Sequence, residues 1–211
     1  MESKKIGITM RVVNAENYIE RRDAISHDWP KFLKSINCIP VFIPNSSSTE
    51  SFLEEMSLDG IILSGGDNIG DHKDRDQTEK IILNYAISKN IPIFGVCRGM
   101  QVINKFFGGK LTNTENHIVK SHDIQLNNPT MKSLFQSNEI SVNSYHKNVI
   151  KEEDLGQNLE VFAKFNDDGT IEGFFHSLHP IIGVMWHPER AHDDMNKFLL
   201  KKFFSDKFLW K

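Results

Sequence analysis

One segment of this 211-residue chain has the residue types and spacing of a covalent catalyst. Gly95-Val96-Cys97-Arg98-Gly99 is a G-x-S-x-G elbow with sulfur in place of oxygen, set where an apolar strand pattern gives way to a helical one. Small residues on both sides permit the tight turn that projects the side chain. The positive end of the following helix favours a thiolate over a thiol. A thiolate needs a base near neutral pH, and Trp186-His187-Pro188-Glu189 supplies a candidate after a second apolar strand. Read as extended backbone held by Pro188, this segment puts His187 and Glu189 on the same side, so the carboxylate can fix the imidazole tautomer. Two amides are candidates for stabilising an oxyanion: the N–H of Arg98, and that of Gly66 in Ser64-Gly65-Gly66-Asp67, where the glycines allow the backbone to approach a substrate closely.

These groups need a scaffold that gathers strand ends. Strand patterns at Ile6–Thr9, Val41–Ile43, Ile61–Leu63 and Ile91–Val96 alternate with helical ones at Arg22–Ile36, Phe52–Met56, Asp74–Lys89 and Met100–Phe107. Pro30 predicts a kink or break near Trp29, and Gly108-Gly109 stops the fourth helix. The second half is richer in short strands (122–126, 139–143, 159–165, 173–176 and 181–186), with a turn at Asp167-Asp168-Gly169 and a last helix over 193–204. The expected fold is α/β: a mostly parallel central sheet flanked by helices, with added antiparallel strands, in one domain spanning 1–211. Reactive groups at strand C-termini then share one edge.

Composition narrows the class. Hydrophobic residues make up 39% and charged residues 25%, with a net charge of −3, which gives no basic excess for a nucleic-acid surface. The N-terminus lacks a signal-peptide core, and no apolar run reaches the ~20 residues of a membrane span, so a cytoplasmic protein is expected. The two cysteines, Cys38 and Cys97, are not expected to pair in a reducing compartment. With no close Cys/His cluster in the sequence, no metal and no cofactor is expected. Cys38 reads as a buried, inert thiol. The apolar run Phe203, Phe204, Phe208, Leu209 and Trp210 offers either a homodimer interface or a core-packing helix.

Taken together, Leu63-Ser64-Gly65-Gly66-Asp67, Arg75-Asp76 with Glu79, Ile91 through Gln101, Val142-Asn143-Ser144-Tyr145-His146 and Gly183 through Arg190 resemble the class I glutamine amidotransferases, and within them the peptidase C26 type of γ-glutamyl hydrolase. The resemblance spans nearly the whole chain. It implies a flavodoxin-like sheet and a Cys97-His187-Glu189 triad acting on a small γ-glutamyl substrate. It also implies that Gln101 lies beside the glutamyl group and that Ser144, Tyr145 and His146 help to hold its α-amino and carboxylate groups. His117 and His122 read as structural or rim residues. The N-terminal segments Gly7–Arg11, Glu20–Asp23 and His27–Trp29 depart from the γ-glutamyl-γ-aminobutyrate hydrolases and resemble the γ-glutamyl-CDP-amidate hydrolases of capsule phosphoramidate biosynthesis. On that resemblance Arg11, Arg21 and Arg22 are candidates to meet a pyrophosphate. The alternatives are a hydrolase of γ-glutamyl-γ-aminobutyrate or another γ-glutamyl amine, and a glutaminase subunit supplying ammonia to a separate synthase.

Overall fold

The computed structural model describes residues 3–114, 117, 121–191, 193–206 and 208–210. The first half contains β1 (Lys4–Thr9), β2 (Arg11–Asn14), β3 (Arg21–Ala24), α1 (Asp28–Ser35), β4 (Cys38–Ile43), α2 (Thr49–Met56), β5 (Gly60–Leu63), α3 (Lys73–Lys89), β6 (Ile93–Val96) and α4 (Arg98–Phe106). The second half contains β7 (Thr112–Asn113), β8 (His122–Leu126), α5 (Pro129–Phe135), β9 (Glu139–Val142), β10 (Asn148–Val149), β11 (Leu159–Phe165), β12 (Ile171–His176), β13 (Ile181–Val184), α6 (Pro188–Ala191) and α7 (Asp194–Asp206).

Nine strands form one sheet in the order β4-β1-β5-β6-β13-β12-β11-β8-β9. The pairings from β4 to β13 are parallel and those from β13 to β9 antiparallel. The parallel part has the flavodoxin-like order, in which ligands gather at the carboxyl ends of the strands. Its central strands β5, β6 and β13 are apolar and buried along their whole length because both faces are covered. Within β5 the side chains alternate: Ile62 packs with Phe94, Val184 and α7 on one face, while Ile61 and Leu63 pack with Ile82, Leu83 and Met100 on the other. Gly108, at φ +87, ends α4 in the left-handed conformation that glycine adopts without steric cost.

Two local expectations are corrected. The helical pattern read over 22–36 divides, with Arg21–Ala24 pairing against Arg11–Asn14 as a hairpin and the helix beginning only at Asp28. Pro30 therefore sits in the first turn, where its missing N–H has no intrahelical partner to lose, and it starts the helix instead of breaking it. Likewise, Pro188 opens the short helix α6 and does not extend the chain after His187. The C-terminal aromatics belong to the core: Phe203 and Phe204 are buried, and Trp210 donates its Nε1–H to the His176 carbonyl (2.7 Å) while packing edge-on to Phe203 and Phe175. Among the described residues, no helix is long and apolar enough to cross a membrane.

Candidate active site

Cys97 lies between β6 and α4 with φ 52 and ψ −107, a conformation that costs a residue with a Cβ about 1–3 kcal/mol. The surroundings hold it there. Its N–H donates to the Val184 carbonyl (2.8 Å), and its own carbonyl accepts from Gln101 (3.1 Å). A Cβ on Gly99 would stand 2.0 Å from the Leu63 oxygen, and one on Gly95 2.8 Å from the Gly99 backbone. Both glycines of the elbow are thus required by close backbone approach.

His187 follows β13, and its backbone is gripped by Asn143. The Asn143 Oδ1 accepts from the His187 N–H and its Nδ2 donates to the His187 carbonyl, both at 2.8 Å. His187 Nδ1 meets Glu189 Oε1 at 2.7 Å, with both side chains buried. Although residues two apart on a helix do not face each other, His187 precedes α6, so its ring can reach back to the first turn. Gly65 supplies the room: a Cβ there would come within 2.7 Å of His187 Cε1 and 3.5 Å of Cys97 Cβ. Burial pushes the imidazole pKa down, but the hydrogen bonds and charges of Cys97 and Glu189 outweigh it and raise the value from 6.5 to about 9.

The loop after β5 is fixed by Arg75, which is fully buried on α3. Its guanidinium donates to the carbonyls of Ser64 (2.9 Å), Gly65 (3.1 Å) and Gly66 (2.6 Å) and to Asp67 Oδ2 (3.0 Å). In a trans peptide the C=O and the next N–H point in opposite directions. Drawing the Gly65 carbonyl towards Arg75 therefore turns the Gly66 N–H the other way. Glu79 receives Arg75 through Oε1 (3.2 Å) and Arg98 through Oε2, and Arg98 also binds Asp76 (2.5 Å). The Arg98 side chain is thus anchored beneath the elbow, while its N–H, at the start of α4, has no intrahelical acceptor.

A cavity of about 330 Å³ opens on Cys97, and its walls include Gln101, Tyr145, His146 and Asn148. A second, of about 180 Å³, runs from Gly66 and His187 towards Ser26, Asp28 and Trp29. Arg11 and Arg190 line both cavities. Arg190 lies over the Tyr145 ring (5.1 Å), and that ring stands edge-on to His187 (5.9 Å). Arg21 and Arg22 are half-exposed and engaged elsewhere, Arg21 with Asp74 at 3.0 Å and Arg22 with Glu20. Ser144 is buried and donates its hydroxyl to the His117 carbonyl (2.7 Å). His146 is buried with Nδ1 3.1 Å from the Asn148 carbonyl. Asn143, Arg75 and Arg190 have no role that the sequence reveals. All three lie in the motif segments that carry the family resemblance, but their partners are distant in the chain.

Residues 5–189 match the peptidase C26 family, and the match ends on Glu189. The chain belongs to that family. It is 34% identical to a γ-glutamyl-CDP-amidate hydrolase of Campylobacter jejuni over 95% of this chain and 97% of the relative. It is also 34% identical to a glutamine-hydrolysing GMP synthase subunit of Pyrococcus abyssi, over 81% and 87% of the two chains. The crystal structure of a candidate GMP synthase subunit from Thermoplasma acidophilum superposes with a TM-score of 0.75 at 23% identity, covering 99% of this chain and 96% of that one, which establishes the shared fold. As a member of C26 the chain is a glutamine amidotransferase-like hydrolase.

Proposed function

We propose that this protein hydrolyses a γ-glutamyl amide through a glutamyl thioester on Cys97, as a single catalytic unit spanning residues 1–211. The observation that carries the reading is the strained cysteine elbow beside an imidazole bound to Glu189 at 2.7 Å. The Cys97 thiolate attacks the γ-carbonyl carbon, and the N–H groups of Gly66 and Arg98 receive the oxyanion. His187 gives its proton to the leaving nitrogen as the C–N bond breaks. Neutral His187 then takes a proton from water, the resulting hydroxide adds to the thioester, and the C–S bond breaks to release glutamate and return the thiolate. Glu189 holds the imidazole in one tautomer throughout.

Gln101, Tyr145 and His146 border the space beside Cys97, which suits the small glutamyl group. Ser144 acts from behind, by fixing the segment that carries them. The leaving group then runs past Arg11 and Arg190 into the second cavity. Two guanidinium groups on that path suit a phosphate-bearing amine, in keeping with a γ-glutamyl-CDP-amidate substrate and a place in capsule phosphoramidate synthesis. Arg11 takes the anion-binding role expected of the N-terminal arginines. The substrate is a small molecule, with no nucleic-acid or membrane partner and no cofactor in the reaction. The second reading, a glutaminase subunit supplying ammonia to a separate synthase, draws on the similarity to the GMP synthase subunits. A panel of γ-glutamyl-CDP-amidate, γ-glutamyl-γ-aminobutyrate and glutamine decides between them. The first reading expects the nucleotide conjugate to have the highest kcat/KM without any added protein. Equal rates across the panel, or glutamine hydrolysis appearing only with a synthase, would overturn it.

A further inference from the structure

Behind the Tyr145 wall, four titratable side chains from separate parts of the chain converge in the interior. They are His117, His122 at the start of β8, His146, and Glu172 on β12, all buried. His117 and His122 are five residues apart in the chain, but only the fold brings His146 and Glu172 to them. His117 Nδ1 lies 3.8 Å and His146 Nε2 3.4 Å from Glu172 Oε1, while His122 Nε2 lies 3.4 Å from Glu172 Oε2. Among the described residues none of these five facing atoms has a hydrogen-bond partner. A buried carboxylate whose imidazole neighbours all stand beyond good hydrogen-bond distance is expensive, and native interiors rarely leave such groups unexplained.

We propose that this cluster is a divalent-cation site, with zinc its best-fitting occupant, formed by His117 Nδ1, His146 Nε2 and Glu172 Oε1, with His122 Nε2 set against the second carboxylate oxygen. Ligand atoms from His117, His146 and Glu172 all lie within 4.8 Å of one another. Tetrahedral zinc with ligands at about 2.0–2.1 Å has ligand–ligand edges of about 3.3 Å, against 3.4 Å from His146 Nε2 and 3.8 Å from His117 Nδ1 to Glu172 Oε1 here. The outer atoms of two rings fit as well. A histidine that binds a metal donates its other N–H to a carboxylate or a carbonyl. His117 Nε2 lies 2.9 Å from Asp168 Oδ2, and His146 Nδ1 lies 3.1 Å from the Asn148 carbonyl. Both rings are therefore oriented with the remaining nitrogen on Glu172. All three ligand residues are buried, so the ion's role is structural. It ties the 117 and 142–149 segments to β8 and β12 and so fixes the wall that carries Tyr145.

The test measures metal by plasma mass spectrometry in tag-free full-length protein, then titrates zinc and cobalt into chelator-treated protein. Wild type and Cys97→Ser are expected to bind about one equivalent of zinc, and the cobalt form to show the intense visible absorption of tetrahedral sites. Glu172→Gln should lose retained metal, and Asp168→Asn should weaken zinc binding about 10–100-fold while keeping every ligand residue. Wild type that binds no zinc on titration would overturn the site. So would metal that disappears in Cys97→Ser, since the thiolate would then be the ligand, or an affinity unaltered in Asp168→Asn. Wild type, Cys97→Ser and Asp168→Asn keep the test decisive even where Glu172→Gln fails to fold.

Discussion

Replacing Glu189 by Gln tests the proposed machinery with the least disturbance of shape. The amide oxygen can still accept from His187 Nδ1, so the ring keeps its place while the negative charge is lost. In the native site the imidazole pKa stands at about 9 against an ordinary 6.5. That difference corresponds to about 3.4 kcal/mol at 1.36 kcal/mol per tenfold change in proton affinity. Burial opposes the protonated ring, and Cys97 and Glu189 together overcome it. Because the two contributions together exceed the net shift by the cost of burial, removing one takes away on the order of 2 kcal/mol. The basic limb of the kcat/KM profile should then move from near 9 to about 1.5 pH units lower, and kcat/KM at the optimum should fall about 30-fold. A chromogenic γ-glutamyl anilide followed from pH 5 to 10 measures both. Stability gives an independent reading. Because the folded-state pKa is the higher one, the proton on His187 stabilises the fold fully below pH 6.5, and this contribution is lost as the pH rises through 9. Urea midpoints should fall over that window in wild type and fall less in Glu189→Gln. An unmoved basic limb, with activity within twofold of wild type, would show that the carboxylate does not support the imidazolium.

Other substitutions probe the supports around the site. Gly65→Ala should lower kcat more than tenfold with little change in melting temperature, since the new methyl group meets the His187 ring and not the core; unchanged kcat would count against that packing. Arg75→Met should destabilise the fold by about 3–5 kcal/mol in urea titrations, because it strips three loop carbonyls and Glu79 of a buried cation. Arg75→Lys, which keeps the charge but not the fork, should lose kcat more than KM. Asn143→Ala should reduce kcat about tenfold by freeing the His187 backbone, with the basic pH limb in place. Iodoacetamide at pH 8 should label Cys97 and spare Cys38, whose thiol is pushed up to about 11 chiefly by burial; equal labelling on peptide mapping would refute that difference.

The legible parts of this fold are those where local chemistry decides. The central parallel strands β5, β6 and β13 announce themselves as unbroken apolar runs because both sheet faces are covered, and the elbow does so because its turn tolerates only Gly95 and Gly99. The β2–β3 hairpin is hidden because Ala24 and Ile25 fall in helical phase with Trp29 and Phe32. Only the rule that proline fits a first turn moves the helix start to Asp28. The candidates Cys97 and His187 are legible from strand-end position and Glu189 from its place two residues on, whereas the residues that hold them are not. Asn143 grips residue 187, Arg75 grips a loop one strand away, and Glu172 gathers three histidines. Such partnerships are made by topology, and no spacing along the chain encodes them.

The placement of β13 bears on the order in which the molecule becomes active. This strand is late in the chain yet lies at the centre of the sheet, with Val184 opposite Val96 and its carbonyl bound to the Cys97 N–H. It also leads directly into His187. During synthesis the thiol and both candidate donor amides emerge while β6 is still an open edge and the base is not yet made. The strand that seals that edge also holds the elbow in its strained form and delivers the imidazole. A nascent or truncated chain ending before β13 therefore carries an unassisted cysteine, and hydrolytic competence arrives together with completion of the sheet.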